Sequence, residues 1–114
     1  MHELSLAQNI AELVCEAARE SQIEQVSTVR LKIGALGGVS TGALESVWEF
    51  VRNEPMLQTS ELAIDLVPVT IYCPECRTVV SPCEPWDLRC SQCGEFAAEI
   101  HSGQELEIVS LECV

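Results

Sequence analysis

Apolar residues recur at helical spacing near the start of the chain. Leu6, Ile10, Leu13, Val14 and Ala17 fall on one face of a helix predicted over residues 4–20. Cys15 lies about opposite that stripe on a regular helix, so it is expected as an exposed thiol. Over residues 26–35 the period changes to two: Val29, Leu31, Ile33 and Ala35 alternate with Arg30, Lys32 and Gly34. This predicts a half-buried strand with a basic outer face. Gly37-Gly38 breaks it, and Ser40 or Thr41 can cap a second helix of residues 42–53 with Leu44, Val47, Trp48 and Val51 inward. Pro55 ends that helix. Leu62, Ile64 and Leu66 mark another strand, which Pro68 demotes to an edge or a short run. Residues 70–98 are rich in proline and cysteine and poor in periodicity. Residues 104–112 return to strand character, with a change of frame near Val109 and Leu111 that allows a bulge. The last strand is expected to rejoin the first sheet, making the cysteine segment an insertion between two strands.

That segment holds Cys73, Cys76, Cys90 and Cys93, two Cys-x-x-Cys pairs with thirteen residues between them. Two such pairs can supply four thiolates to one tetrahedral ion, and a closed four-thiolate shell suits a structural Zn2+. Pro74 stiffens the first turn, and Gly94 permits a positive φ where the backbone curls back after the second pair. The separation is slightly below the about 15–20 residues usual for this pattern, as in short zinc-ribbon loops. Cys83 lies outside the paired spacing; it has no assigned role and could compete for the ion. His101 reads as an exposed strand or linker residue.

Bulk composition narrows the function. The chain has 114 residues and 47% apolar content, enough for one modest core and a small metal-stapled lobe. No apolar run approaches a membrane span, and the start Met1-His2-Glu3 lacks the basic flank of a secretion signal. A cytoplasmic location is therefore expected, where thiols stay reduced and an odd total of seven cysteines suits metal better than disulfides. Net charge is −12 with only six basic residues. Phosphate contacts need clustered Lys and Arg, which argues against nucleic acid.

The start of the chain offers a second donor set. The α-amino group, the imidazole of His2 and the Glu3 carboxylate make a compact set of donors, in which the amine, a deprotonated backbone nitrogen and the imidazole can form fused chelate rings. Square-planar nitrogen coordination suits Ni2+ and Cu2+ rather than Zn2+. From these residues alone an ordinary chain end remains the alternative.

Met1-His2-Glu3-Leu4-Ser5-Leu6 opening a helix, then Val29-Arg30-Leu31-Lys32-Ile33-Gly34-Ala35-Leu36, the two cysteine pairs, and Gly103-Gln104-Glu105-Leu106 occur in that order. Together they resemble the HypA/HybF family of nickel metallochaperones for [NiFe]-hydrogenase maturation. The resemblance implies an α+β fold: two helices packed on a three-stranded sheet form a nickel-binding α/β domain (residues 1–69 plus 99–114). A four-cysteine, zinc-ribbon-like domain is inserted as residues 70–98. It also implies Ni2+ as transported cargo, held by Met1, His2 and Glu3, and structural Zn2+ on Cys73, Cys76, Cys90 and Cys93. Delivery to the hydrogenase large subunit, with a partner GTPase, completes the implied role. One departure stands out. Family members often carry an acidic residue where this chain has Ser40, and Glu45 is the nearest acid downstream.

No catalytic machinery is evident, and there is no Gly-rich phosphate loop, so the chain reads as a carrier rather than an enzyme. The competing reading is a zinc-ribbon adaptor that binds proteins and hands on no metal.

Overall fold

The computed structural model describes residues 2–97 and 99–114. The elements run α1 (Glu3–Glu20), β1 (Val26–Gly34), α2 (Thr41–Val51), β2 (Glu61–Val67), β3 (Thr70–Cys73), β4 (Thr78–Val80), β5 (Pro82–Glu84), β6 (Asp87–Cys90), β7 (Glu99–Ser102) and β8 (Leu106–Cys113). Short 3-10 turns follow β1 and α2. By compactness the chain divides into two units. The first holds residues up to Lys32, Val39–Asp65 and Glu107–Val114; the second holds Ile33–Gly38 and Leu66–Leu106.

In the first unit α1 packs on α2. The buried face of α1 is Leu6, Ala7, Ile10, Ala11, Val14, Cys15 and Ala18. This stripe is rotated from the expected one: Leu13 is 54% exposed, Ala17 is exposed, and Cys15 is only 4% exposed. The expectation of an exposed Cys15 thiol is therefore corrected. Small residues explain the shift, because Ala7, Ala11 and Ala18 contribute little to a hydrophobic pattern yet allow close helix approach. Burial, with the Glu54 carboxylate nearby, pushes the Cys15 thiol pKa up and keeps it in its neutral, unreactive form.

Strand β1 occupies the centre of a sheet in the order β2-β1-β8, so the last strand does return beside the first. Val29, Leu31 and Ile33 face inward and Arg30 and Lys32 outward, as the alternation requires. Arg30 donates through Nε and Nη2 to Glu112 Oε1 at 3.2 and 3.0 Å, tying β1 to β8 on the outer face. Strand β2 lies at an edge, where Pro68 can follow it without breaking a ladder. On α2 the inward residues are Leu44 and Trp48. Trp48 Nε1 donates to Ser60 Oγ at 3.1 Å, and Ser60 Oγ donates onward to the Leu57 carbonyl at 2.6 Å. The buried indole and the fully buried hydroxyl thus satisfy each other.

The second unit is more regular than its sequence suggests. Five short strands replace the aperiodic loop expected there. β3 pairs antiparallel with both β4 and β7, and β5 with β6. Its core is Val69, Ile71, Cys73, Val80 and Cys90, with Ala35, Leu36, Cys76, Leu88 and Ala97 packed against it. Two of the four paired cysteines therefore belong to the hydrophobic core as well as to the candidate metal site. Residues 34–36 join this unit by pairing: Gly34 N–H donates to the Glu105 carbonyl at 2.7 Å and Leu36 N–H to the Gly103 carbonyl at 2.9 Å. A Cβ on Gly34 would stand 2.0 Å from the Gly103 carbonyl oxygen, so only glycine allows this approach.

Candidate metal centre

Cys73 ends β3 and Cys90 ends β6, and each strand is followed by a tight turn bearing the second cysteine of its pair. The two turns use the same local device. The residue after the second cysteine takes the left-handed conformation, at φ 52° for Arg77 and 80° for Gly94. Each turn also aims a backbone amide at its first sulfur: Cys76 N–H points to Cys73 Sγ and Gln92 N–H to Cys90 Sγ, both at 3.4 Å. Such donors stabilise thiolate charge and orient the sulfur.

The four sulfurs converge. All lie within 4.8 Å of one another, with Cys73–Cys93 at 3.4 Å and Cys76–Cys90 at 3.9 Å. A tetrahedral zinc–thiolate shell with Zn–S near 2.3 Å has S···S edges of about 3.8 Å. The donor set and its spacing therefore fit an ion of that size and softness. Backbone N–H groups of Cys93 and Gln92 bring the Cys90 thiol down to about 7, whereas hydrogen bonds with the Cys93 and Cys73 thiols push Cys76 up to about 12. Four sulfurs this close cannot all ionise without a cation between them. Metal binding must therefore expel protons.

Cys83 does not join the four. It is exposed on β5, and its thiol donates to the Cys90 carbonyl at 3.6 Å. His101 is exposed on β7. Cys113 is exposed on β8.

At the other end of the sequence, His2 is the N-cap of α1 and is exposed. Its imidazole makes no capping bond, while its carbonyl accepts from Leu6 N–H at 3.0 Å. Glu3 Oε1 accepts the backbone N–H of Ser40 at 3.1 Å. That hydrogen bond is the main reason the Glu3 carboxyl lies below the usual range. Ser40 is itself the N-cap of α2, its Oγ accepting from Ala43 N–H at 3.2 Å. The structure thus brings Glu3 to the start of the second helix, a juxtaposition that sequence spacing did not reveal. The only hint was the capping signal at Ser40. Glu45 is exposed on α2. Met1 lies outside the described residues.

The model of the family described as "Hydrogenase/urease nickel incorporation, metallochaperone, hypA" matches residues 1–113. The chain belongs to the HypA family. Among its relatives, the hydrogenase maturation factor HypA of Chloroflexus aggregans is 44% identical, covering 98% of each chain. That of Rhizobium leguminosarum bv. viciae is 32% identical over the full length of both. Two solved structures share the fold at 26% identity. A solution structure of HypA superposes with a TM-score of 0.72, covering 100% of this chain and 97% of the other. The nickel metallochaperone HypA from Helicobacter pylori gives 0.64, with 100% and 98% covered. The α+β architecture with a four-cysteine cluster is thus a HypA architecture, and the family's work is nickel incorporation into hydrogenase and urease. Among the described residues, no helix is long and apolar enough to cross a membrane.

Proposed function

We propose that this HypA protein binds Ni2+ at its N-terminus and delivers it to the large subunit of a [NiFe]-hydrogenase during maturation. A structural Zn2+ would be held by Cys73, Cys76, Cys90 and Cys93. In this reading residues 1–69 with 99–114 serve the cargo and residues 70–98 hold the zinc. The protein acts in the cytoplasm beside a partner GTPase and performs no catalysis of its own.

The observation that carries the nickel reading is the state of His2: exposed, at a helix start, with an imidazole unused by the cap. The first amides of a helix have no carbonyl partner in the ladder, so deprotonating the His2 amide for chelation costs no helical hydrogen bond. The positive end of the α1 dipole also favours loss of protons from the neighbouring amine and amide. Glu3 adds negative charge beside the chelate while its bond to Ser40 fixes the helix start. Metal held by amine and imidazole nitrogens competes with protons for those nitrogens. Cargo is therefore released as acidity rises.

One comparison tests this reading against a zinc-only adaptor. Nickel is titrated into the chain with its native start, into a version with one extra residue before Met1, and into His2→Ala. The carrier reading expects tight nickel binding in the native form alone, with zinc content unchanged in all three. Equal nickel affinity in the extended form would overturn the terminal site.

A further inference from the structure

We propose that the outer face of the β5–β6 hairpin, with Phe96 beside it, is a docking surface for a partner segment bearing lysine or arginine next to apolar side chains. This goes beyond the nickel and zinc assignments and does not depend on them. Leu88 and Cys90 of β6 turn into the core, so Asp87 and Arg89 lie on the opposite face. Glu84 pairs with Asp87, and Phe96 is bridged to Arg89, which places both on that same outer face. Trp86 sits in the turn that joins the two strands. Trp86 is 77% exposed and Phe96 73% exposed. Two large aromatic side chains left in water, one on the hairpin and one beside it, contribute nothing to the core. Aromatic residues so placed are the usual anchors of an interface. Pro85 restricts the turn that presents Trp86, which lowers the entropy cost of burying the ring against a partner.

Charge selects the occupant. Residues 66–106 hold six acidic side chains against two basic ones, Arg77 and Arg89. Arg89 is engaged within the face, its Nε donating to both carboxylate oxygens of Asp87 at 2.9 and 3.1 Å. Glu84, paired with Asp87, and Glu95, next to Phe96 in the chain, are exposed, and among the described residues neither has an ion-pair partner. An acidic segment is repelled here. A second copy would bring the same acidic face and the same net charge of −12. A basic segment is steered in and its apolar side chains seated on Trp86 and Phe96. Pro82 blunts the β5 edge and Pro85 ends it, so recognition is by side chains and not by strand addition.

The test uses the metal-loaded full chain at physiological ionic strength and three short fluorescent peptides: alternating Lys–Val, alternating Lys–Gly of equal charge, and neutral Ser–Val. Anisotropy should show the Lys–Val peptide binding at least about tenfold more tightly than either control, a difference of about 1.4 kcal/mol. Trp86→Ala/Phe96→Ala and Glu84→Gln/Glu95→Gln should each abolish that preference with metal content unchanged by elemental analysis. The carboxylate variant decides the matter if the aromatic one loses metal. Equal binding of Lys–Gly would make the effect diffuse charge, and equal binding of Ser–Val would make it apolar contact alone. Retained preference in the carboxylate variant, no binding of any peptide, or self-association abolished by the aromatic changes would equally overturn the proposal.

Discussion

Glu3 shows how one half-buried side chain links two helices. Its carboxylate accepts the Ser40 N–H, the donor that α2 presents at its own N-cap. Glu3→Ala should leave the core intact, because the core residues of α1 begin at Leu6. It should speed hydrogen exchange at the Ser40 amide and weaken nickel binding, while Glu3→Gln, which keeps an acceptor oxygen, restores amide protection but not the charge. An unchanged Ser40 exchange rate in the alanine variant would mean that the contact does not order the helix start. Cys15 makes the complementary point. Its position is exposed on a regular wheel, yet the alanines around it draw α2 close enough to cover it.

At the scale of the element, the two cysteine turns share a left-handed residue after the second cysteine but fill that position differently. Arg77 adopts φ 52° where its counterpart is Gly94 at φ 80°. A left-handed conformation costs a residue with a side chain roughly 1–2 kcal/mol, a penalty glycine escapes. Gly94→Ala should therefore destabilise the metal-loaded unit by about 1–2 kcal/mol, whereas Arg77→Gly should be neutral or stabilising. Resistance to metal removal by a chelator reads out both. The same resistance in Gly94→Ala and the parent would show that the turn relaxes without strain. Cys73→Ser should lose the metal and disorder the second unit while α1 and α2 persist. The thiolate cluster and a small apolar core hold that unit together, and the first unit has its own core around Trp48.

For the molecule as a whole, acid should act twice. The carboxyls of Glu3, Asp87 and Glu112 lie below their usual values because of the Ser40 amide, Arg89 and Arg30 respectively. A carboxyl lowered in the folded state stabilises the fold above its unfolded pKa of about 4 and loses that contribution as pH falls through the folded value. Metal loss precedes this, because protons compete for the thiolates. Denaturation followed from neutral pH downward should show a first loss of stability that excess zinc reverses and a second, near and below pH of about 4, that zinc does not. A single transition insensitive to zinc would argue against a metal-dependent second unit. Several features were legible in the chain itself. Local periodicity marked the helices, β1 and the alternation around Leu31; fixed spacing marked the four cysteines; and a short motif marked the start. These depend on nearest neighbours along the backbone, which the sequence states directly. The tertiary structure alone decided which face of α1 is covered and that Ser40 meets Glu3. It also decided that the proline-rich cysteine segment is built of strands rather than loop. Each of these depends on which distant surface arrives against a residue, and small side chains and single backbone amides leave little trace in a pattern of polar and apolar letters.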